Sequence, residues 1–259
     1  ATLRTSIGVG TGDSVTFTTC DATTDFTIDG LVLTADTITN DAVLSIVSPS
    51  IIIASANSNF ANSLKIGTGG TGTLDNALKN IAIGNGTIND ITTGDSNICI
   101  GFEAGHAIVA STANVYIGTE AGLHTVTHRF GYNVGIGNFA MRGVAGAADD
   151  NTKGQFNTAI GAGALNVGTS ARTGEISNNV AIGTSCMENA NLTTAGGNVC
   201  IGAAAGNTLR TGGLNTLVGY NTEPSGTAGN RQIVIGESAV GQGDNTATIG
   251  DAAITAVYM

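Results

Sequence analysis

The chain of 259 residues has no tryptophan, only two prolines and few charged side chains, which make up 11% of the sequence. Its nine lysines and arginines are few, and with nineteen acidic residues the formal net charge is −10. Because nucleic-acid binding depends on cationic side chains that contact phosphates, we expect no nucleic-acid partner. No stretch approaches about 18 uninterrupted apolar residues, so we also expect no membrane insertion.

The chain is instead rich in glycine, asparagine and threonine, with 39, 25 and 37 residues respectively. Glycine and asparagine tolerate the left-handed backbone conformations of tight turns, whereas threonine, valine and isoleucine favour strands. The composition therefore predicts many short strands joined by many turns.

A five-residue motif, Asn-x-x-Ile-Gly, recurs along most of the chain. Its clearest copies begin at Asn80, Asn97, Asn114, Asn133, Asn157, Asn179, Asn198 and Asn215, and weaker copies end at Gly67, Gly236 and Gly250. The motif glycines are mostly 17 residues apart, with spacings of up to 24 residues in the middle of the array. Self-similarity at a fixed period is typical of solenoids. We therefore predict an all-β fold, a parallel β-solenoid of about eleven coils.

Each repeat is predicted to form one coil, with a short strand, a glycine turn, a second short strand and a return loop. The second and fourth motif positions share one strand face, because side chains alternate along a strand. These positions are β-branched in most copies, so we predict that they form an interior ladder. The third position is small or apolar, which favours a contact between subunits. The predicted subunit-contact residues are Ala82, Cys99, Ala159, Ala181 and Cys200.

The motif asparagine is expected at the corner of each coil. Asparagine tolerates left-handed geometry, and its side-chain amide can cap turns. We predict that it satisfies backbone groups at the corner or stacks with its counterparts as an asparagine ladder.

Two of the repeats, residues 157–165 and 179–187, resemble the head repeats of trimeric autotransporter adhesins. They resemble still more the related repeats of phage and large-virus tail fibres. The resemblance covers roughly residues 62–254 and implies a left-handed parallel β-roll that assembles as a homotrimer. Residues 248–259 resemble the segment that precedes a self-cleaving intramolecular chaperone domain in many phage fibres.

Three parts of the chain are expected from these patterns. Residues 1–60 lack the motif and contain strand-like stretches, which predict a β-rich cap or shaft. Residues 61–250 are the β-roll array, and residues 251–259 are a C-terminal stub. A cap would protect the first coil, since an open solenoid end exposes unpaired strand groups.

Candidate catalytic and metal-binding residues are few. Glu103 and Glu120 occupy the same coil position in successive repeats, where paired carboxylates could serve glycoside hydrolysis. No aromatic sugar platform accompanies them, so we interpret them as stacked turn residues and expect no enzymatic activity. Cys99, Cys186 and Cys200 fill small-residue positions and are predicted to be buried. No Cys/His cluster indicates a metal, and we expect no cofactor.

The leading functional hypothesis is a structural and adhesive segment of a virion tail fibre that presents a host-receptor-binding surface. Its expected partners are further copies of the chain in a homotrimer, a host cell-surface glycan or protein, and other virion tail proteins. The receptor site is predicted in the enlarged middle coils, where Arg129, Tyr132, Arg142 and Phe156 supply planar, amphipathic groups. Alternatives are a bacterial surface adhesin or filament subunit and a polysaccharide-degrading tailspike.

Overall fold

The computed structural model describes residues 63–67, 75–123, 131–143, 154–167, 176–188 and 195–254. These residues belong to Ile52–Met259, one of two units into which the chain divides. They contain strands, turns and bends but no helix, which confirms the all-β prediction. The predicted N-terminal cap or shaft, residues 1–60, lies outside the described residues.

Thirteen short strands lie in the described residues. They are Leu64–Ile66 (β1), Ile81–Ile83 (β2), Ile98–Ile100 (β3), Val115–Ile117 (β4), Val134–Ile136 (β5), Thr158–Ile160 (β6), Ile176–Ser177 (β7), Val180–Ile182 (β8), Ala195–Gly196 (β9), Val199–Ile201 (β10), Thr216–Val218 (β11), Ile233–Ile235 (β12) and Ala247–Ile249 (β13). Eleven of them form one parallel sheet in the order β1-β2-β3-β4-β5-β6-β8-β10-β11-β12-β13. Each of these strands belongs to one copy of the repeat. The chain therefore winds as a parallel β-solenoid, as predicted, with these eleven strands stacked along one side of the coil.

The strand register is constant along the array. The third motif position of one coil pairs with the third position of the next, as for Cys99 and Tyr116 in a 17-residue repeat. The same pairing joins Gly135 and Ala159 across a repeat of 24 residues. The additional residues of the longer repeats therefore lie between the strands. Most of them, in 124–130, 144–153, 168–175 and 189–194, fall outside the described residues.

The strand faces are the reverse of those predicted from the sequence. The third-position residues are completely buried within a single chain: Ala82, Cys99, Ala159, Ala181 and Cys200. The prediction that these five side chains form a subunit contact is therefore wrong, because they point into the coil, where a partner cannot touch them. The second- and fourth-position residues, predicted to form the interior ladder, point outward and are half-buried or exposed.

The narrow cross-section of the coil explains this reversal. Opposite the strands, the return segments contribute large apolar side chains that are fully buried, including Ile108, Met141 and Leu209. Since protein interiors are close-packed, little volume remains for the strand side chains. Tyr116 is the largest of the strand side chains in the interior, and glycines make room for it. A Cβ added at Gly122 would lie 2.7 Å from the tyrosine ring.

The second half of each coil also differs from the prediction. After the motif glycine the chain forms turns instead of a second strand. Glu103 and Glu120, for example, adopt left-handed backbone conformations with φ of 53°, which a continuous strand does not contain. In the described residues, further strand pairing is limited to β7 with β9 and a bridge between Glu223 and Val240.

The motif asparagines form a buried ladder along the coil corner. In Asn97, the backbone N–H and the side-chain Nδ2 both donate to Asn80 Oδ1, at 2.9 and 3.1 Å. Nδ2 also donates to the carbonyl oxygen of Ser111 at 2.8 Å. Side-chain to side-chain bonds of this kind join each successive pair from Asn80 to Asn215. Both predicted roles of the asparagine are thus confirmed, since it stacks and also satisfies backbone groups.

The motif glycine is required by backbone geometry and by close stacking. Gly161 has φ of 133°, which side-chain-bearing residues rarely adopt. A Cβ at this position would lie 2.5 Å from the carbonyl oxygen of Gly183 in the next coil. The same approach recurs along the glycine column and explains why the motif ends in glycine.

Candidate binding surfaces

One surface consists of the residues directly before the motif asparagines, which we call the corner column. Its members in the described residues include Lys79, Ser96, Ala113, Tyr132, Phe156, Asn178, Leu214 and Arg231, all with positive φ between 51° and 62°. This left-handed residue turns the chain into the strand, so the asparagine points inward and the corner residue points outward. Tyr132 is 60% exposed and Phe156 is 53% exposed, although both are large aromatic residues.

Tyr132 and Phe156 stack on each other at the corner. Their ring centroids are 5.3 Å apart and their planes differ by 10°. They lie on adjacent rungs because β5 pairs directly with β6. Aromatic pairs of this kind contribute about 0.5–1.5 kcal/mol beyond their buried area. The stack therefore presents an ordered apolar surface to solvent.

A cavity of about 310 Å³ adjoins this stack. Its described lining residues are Ala110, Thr112, Gly131, Tyr132 and Gln155. Two hydrogen bonds donated by backbone N–H groups hold the lining residues in place. The Tyr132 N–H donates to the Thr112 carbonyl oxygen at 3.1 Å, and the Gln155 N–H donates to Ser177 Oγ at 3.1 Å. The cavity thus combines one aromatic ring with hydroxyl, amide and backbone polar groups.

Arg142 lies beyond the other end of β5 and belongs to a separate cluster. Its Nε is 2.8 Å from Glu120 Oε2, a close ion pair that lacks the alignment of a hydrogen bond. Its guanidinium carbon is 4.9 Å from the centre of the Phe139 ring, in cation–π range. Of the four predicted receptor residues, the structure brings Tyr132 and Phe156 together and separates Arg142 from them. Arg129 lies outside the described residues.

The carboxylates of Glu103 and Glu120 occupy equivalent turn positions, as the repeat predicts. The N–H of each donates to a carbonyl of the preceding coil at 2.8 Å, Asn85 for Glu103 and Phe102 for Glu120. Because Glu120 forms the ion pair with Arg142, its charge is compensated by that partner.

A second surface is formed by the second- and fourth-position side chains of the eleven-stranded sheet, which we call the outward face. Ile66, Ile81, Ile160, Ile201, Ile233, Ile235 and Ile249 are each between 37% and 50% exposed. None of the residues at these positions in β1–β6, β8 and β10–β13 is charged, and almost all are isoleucine, valine, leucine or alanine. Contiguous exposed apolar patches of this kind mark interaction sites in folded proteins.

The described cysteines are buried free thiols, as predicted: Cys99, Cys186 and Cys200. Burial raises the pKa of the Cys99 thiol well above its usual range. The hydrogen bond with Cys186, followed by burial, raises the pKa of Cys200. Cys186 Sγ donates to the carbonyl oxygens of Cys200 and Ala205, at 3.2 and 3.4 Å.

No group of three or more metal-ligating side chains that could hold an ion occurs in the described part of the chain. His106 Nδ1 lies 3.8 Å from Asp90 Oδ2, which forms a pair and not a cluster. Within the same described ranges, no helix has the length and hydropathy needed to cross a membrane.

Two features were missed by the sequence-based predictions. The outward face was assigned to the interior, although the large apolar residues of the return segments, such as Ile108 and Met141, indicate that the strand side of the interior must be small. The cavity next to Tyr132 was not predicted. Its described lining residues come from three successive repeats and lie outside the five-residue motif, so the motif gives no signal for it.

Comparison with known proteins finds no match to this chain. No protein-family model, curated protein or solved structure is significantly similar to it.

Proposed function

We propose that the chain is a structural and adhesive segment of a virion fibre, which forms a homotrimer and presents a surface that binds a host receptor. The solenoid is a left-handed β-roll in this proposal, and residues 1–60 cap it or continue it as a shaft. The neighbouring subunits of the fibre are other virion tail proteins. The stoichiometry and handedness come from the resemblance to trimeric adhesin heads and tail-fibre repeats.

The outward face is the observation that carries the proposal. It runs along eleven strands, or about 48 Å at a strand spacing of about 4.8 Å, without a charged residue. In a sheet with one face exposed to solvent, apolar and polar residues usually alternate along each strand, and the polar residues form the exposed face. Self-association would remove this apolar area from water at about 25 cal/mol per Å². A closed symmetric ring of three chains would bury all three faces around one axis.

The adhesive part of the proposal is supported by the exposed corner. A rigid solenoid holds Tyr132 and Phe156 in fixed positions, and binding residues are often carried by rigid scaffolds in this way. Their amphipathic rings suit both glycan and protein partners.

Light scattering on the purified chain tests the assembly. Ile160→Arg and Ile201→Arg each place a cation on the outward face, and we expect the trimer to dissociate or aggregate. Phe102→Arg is the matched control, because Phe102 is 47% exposed and lies after β3, off the outward face. A wild-type chain that is monomeric, or a double variant that remains trimeric, contradicts the assembly.

Immunogold electron microscopy tests the location. We expect an antibody against residues 75–123 to label fibres on virus particles. Labelling of bacterial envelopes would contradict the virion assignment and favour the surface-adhesin alternative.

A further inference from the structure

The corner column changes abruptly in size between two adjacent rungs. Ala113 precedes Asn114, Tyr132 precedes Asn133, and β4 pairs directly with β5. Both residues have the same left-handed conformation, with φ of 60° and 62°. The Tyr132 ring therefore has an aromatic neighbour on the rung of Phe156 and only a methyl group on the rung of Ala113.

The cavity described above lies beside this stack. Phe156 stacks on one face of the Tyr132 ring, and the cavity lies against Tyr132 beside Ala110, Thr112, Gly131 and Gln155. With about 310 Å³, it lies at the small end of the range for ligand pockets. An occupant of that size is one ring with a few substituents.

We propose that this cavity is a subsite for a neutral pyranose ring of a host-surface glycan, a ligand class that rests on the attachment function proposed above. The axial C–H bonds of a pyranose form an apolar face that packs on an aromatic ring, and Tyr132 supplies such a ring. The hydroxyl groups around the sugar edge need donors and acceptors. The lining residues Thr112, Gln155 and Gly131 carry hydroxyl, amide and backbone groups of both kinds.

The described lining residues favour a neutral sugar over an acidic one. None of the described lining residues is charged, and the chain as a whole carries a formal charge of −10. A carboxylate-bearing sugar would lose hydration without gaining a cationic partner among these residues. The field of the acidic chain would also disfavour its approach.

Saturation-transfer NMR with a panel of methyl pyranosides tests this directly, using the glucoside, galactoside, mannoside, N-acetylglucosaminide and the acidic glucuronide. We expect transfer to at least one neutral pyranoside and none to the glucuronide. Tyr132→Ala should weaken the signal about tenfold, the loss typical of an aromatic stacking contact. This variant should fold normally, because alanine already occupies the equivalent position at Ala113 with the same backbone conformation.

A filling variant provides the complementary evidence. Ala110→Tyr replaces a small lining residue with a ring that would occupy the cavity while leaving Tyr132 in place, so it should also abolish binding. Tyr220→Ala is the matched control, since Tyr220 is 59% exposed and does not line the cavity. It should bind as wild type.

The outcomes separate the subsite from the proposed function. If the wild-type chain attaches to cells but shows no transfer to any neutral pyranoside, the subsite is overturned and attachment stands. Equal transfer in Tyr132→Ala, Ala110→Tyr and wild type overturns it as well, and so does preferential binding of the glucuronide. A chain that attaches to no cell of a broad strain panel overturns the proposed function itself.

Discussion

The backbone N–H and the side-chain Nδ2 of Asn157 both donate to Asn133 Oδ1, at 3.0 and 3.2 Å, across 24 residues of sequence. Asn157 Oδ1 in turn accepts from the backbone and side chain of Asn179. The longest repeat in the array is therefore closed by the same bonds as the 17-residue repeats. Because every donor and acceptor in this column is buried, the loss of one amide leaves several groups unsatisfied.

We expect Asn157→Asp to destabilise the solenoid strongly, by at least about 3 kcal/mol. The carboxylate cannot donate, and it would face Asn133 Oδ1 and the carbonyl oxygen of Ile176 as a buried, repelled charge. Urea denaturation followed by circular dichroism measures the effect. Asn221→Asp is the control, since Asn221 is exposed in a left-handed turn that aspartate also tolerates. Similar unfolding midpoints for both variants would contradict the role of the ladder.

Gly161→Ala should destabilise the chain by about 2 kcal/mol or more, because the added methyl combines backbone strain with a clash against the next coil. Gly226→Ala is the matched control. A Cβ at Gly226 meets nothing within 4 Å, so the melting temperature of the Gly226→Ala variant should be near that of wild type.

The reversed strand faces predict opposite effects for two adjacent substitutions. Ala159→Ile inserts a β-branched side chain into a closed interior and should cost about 1–3 kcal/mol through overpacking. Thr158→Ile, one residue earlier, points outward and should leave chemical stability unchanged or slightly raised. If the two variants exchanged these effects, the original assignment of the faces would be restored.

Thiol labelling checks the burial of the interior cysteines. Burial raises the pKa of Cys99, and the hydrogen bond with Cys186 together with burial raises that of Cys200, so the reactive thiolate is scarce in the folded chain. We expect Cys99, Cys186 and Cys200 to resist iodoacetamide at pH of about 8 and to react in urea. Peptide mass spectrometry separates them from Cys20, and rapid native labelling of any of the three would contradict the packing.

Glu223 should make stability depend on pH. Burial raises its pKa above 4.5, although hydrogen bonds from Thr208 and Asn207 act in the opposite direction. Because the pKa of Glu223 is higher in the folded chain than in the unfolded chain, folding takes up a proton at pH values between the two. The contribution is thus favourable at low pH and is lost as the pH rises through the raised pKa.

The stability difference between wild type and Glu223→Gln should therefore fall as the pH rises from the ordinary range of glutamate through the raised pKa. Denaturant titrations across this range measure it. Glu237→Gln, at an exposed position, is the reference for a general change in charge. A difference that rises with pH would reverse the sign of the shift and contradict the burial effect.

Much of the fold could be predicted from the sequence because the same motif recurs in many copies. Period, parallel stacking and the asparagine ladder follow from eight clear copies of one motif. The strand faces could not be derived from hydrophobicity alone, since both faces are apolar. Ile100 and Cys99 are equally compatible with an interior. The deciding factor is the volume supplied by the opposite wall, such as Ile108, which lies in the less regular half of the coil.

The candidate site was predicted only in part, because it depends on turns and return segments that the motif does not specify. Tyr132 and Phe156 were singled out by residue type, and their adjacency follows once the 24-residue repeat is known to occupy one rung. The association of Arg142 with Glu120 depends on where each turn lies relative to β5, which the motif does not specify. The cavity depends on which residues of three successive return segments meet beside Tyr132, and the motif does not specify those contacts.

The constant register has a consequence for how the molecule can change in length. Any repeat, whether of 17 or 24 residues, adds one strand spacing of about 4.8 Å and returns the chain to the same corner. Duplication or deletion of a whole repeat would therefore lengthen or shorten the solenoid in equal steps while keeping the strand register. Insertions within a repeat would change only what projects from that step. Reach and surface chemistry can thus vary independently in this architecture.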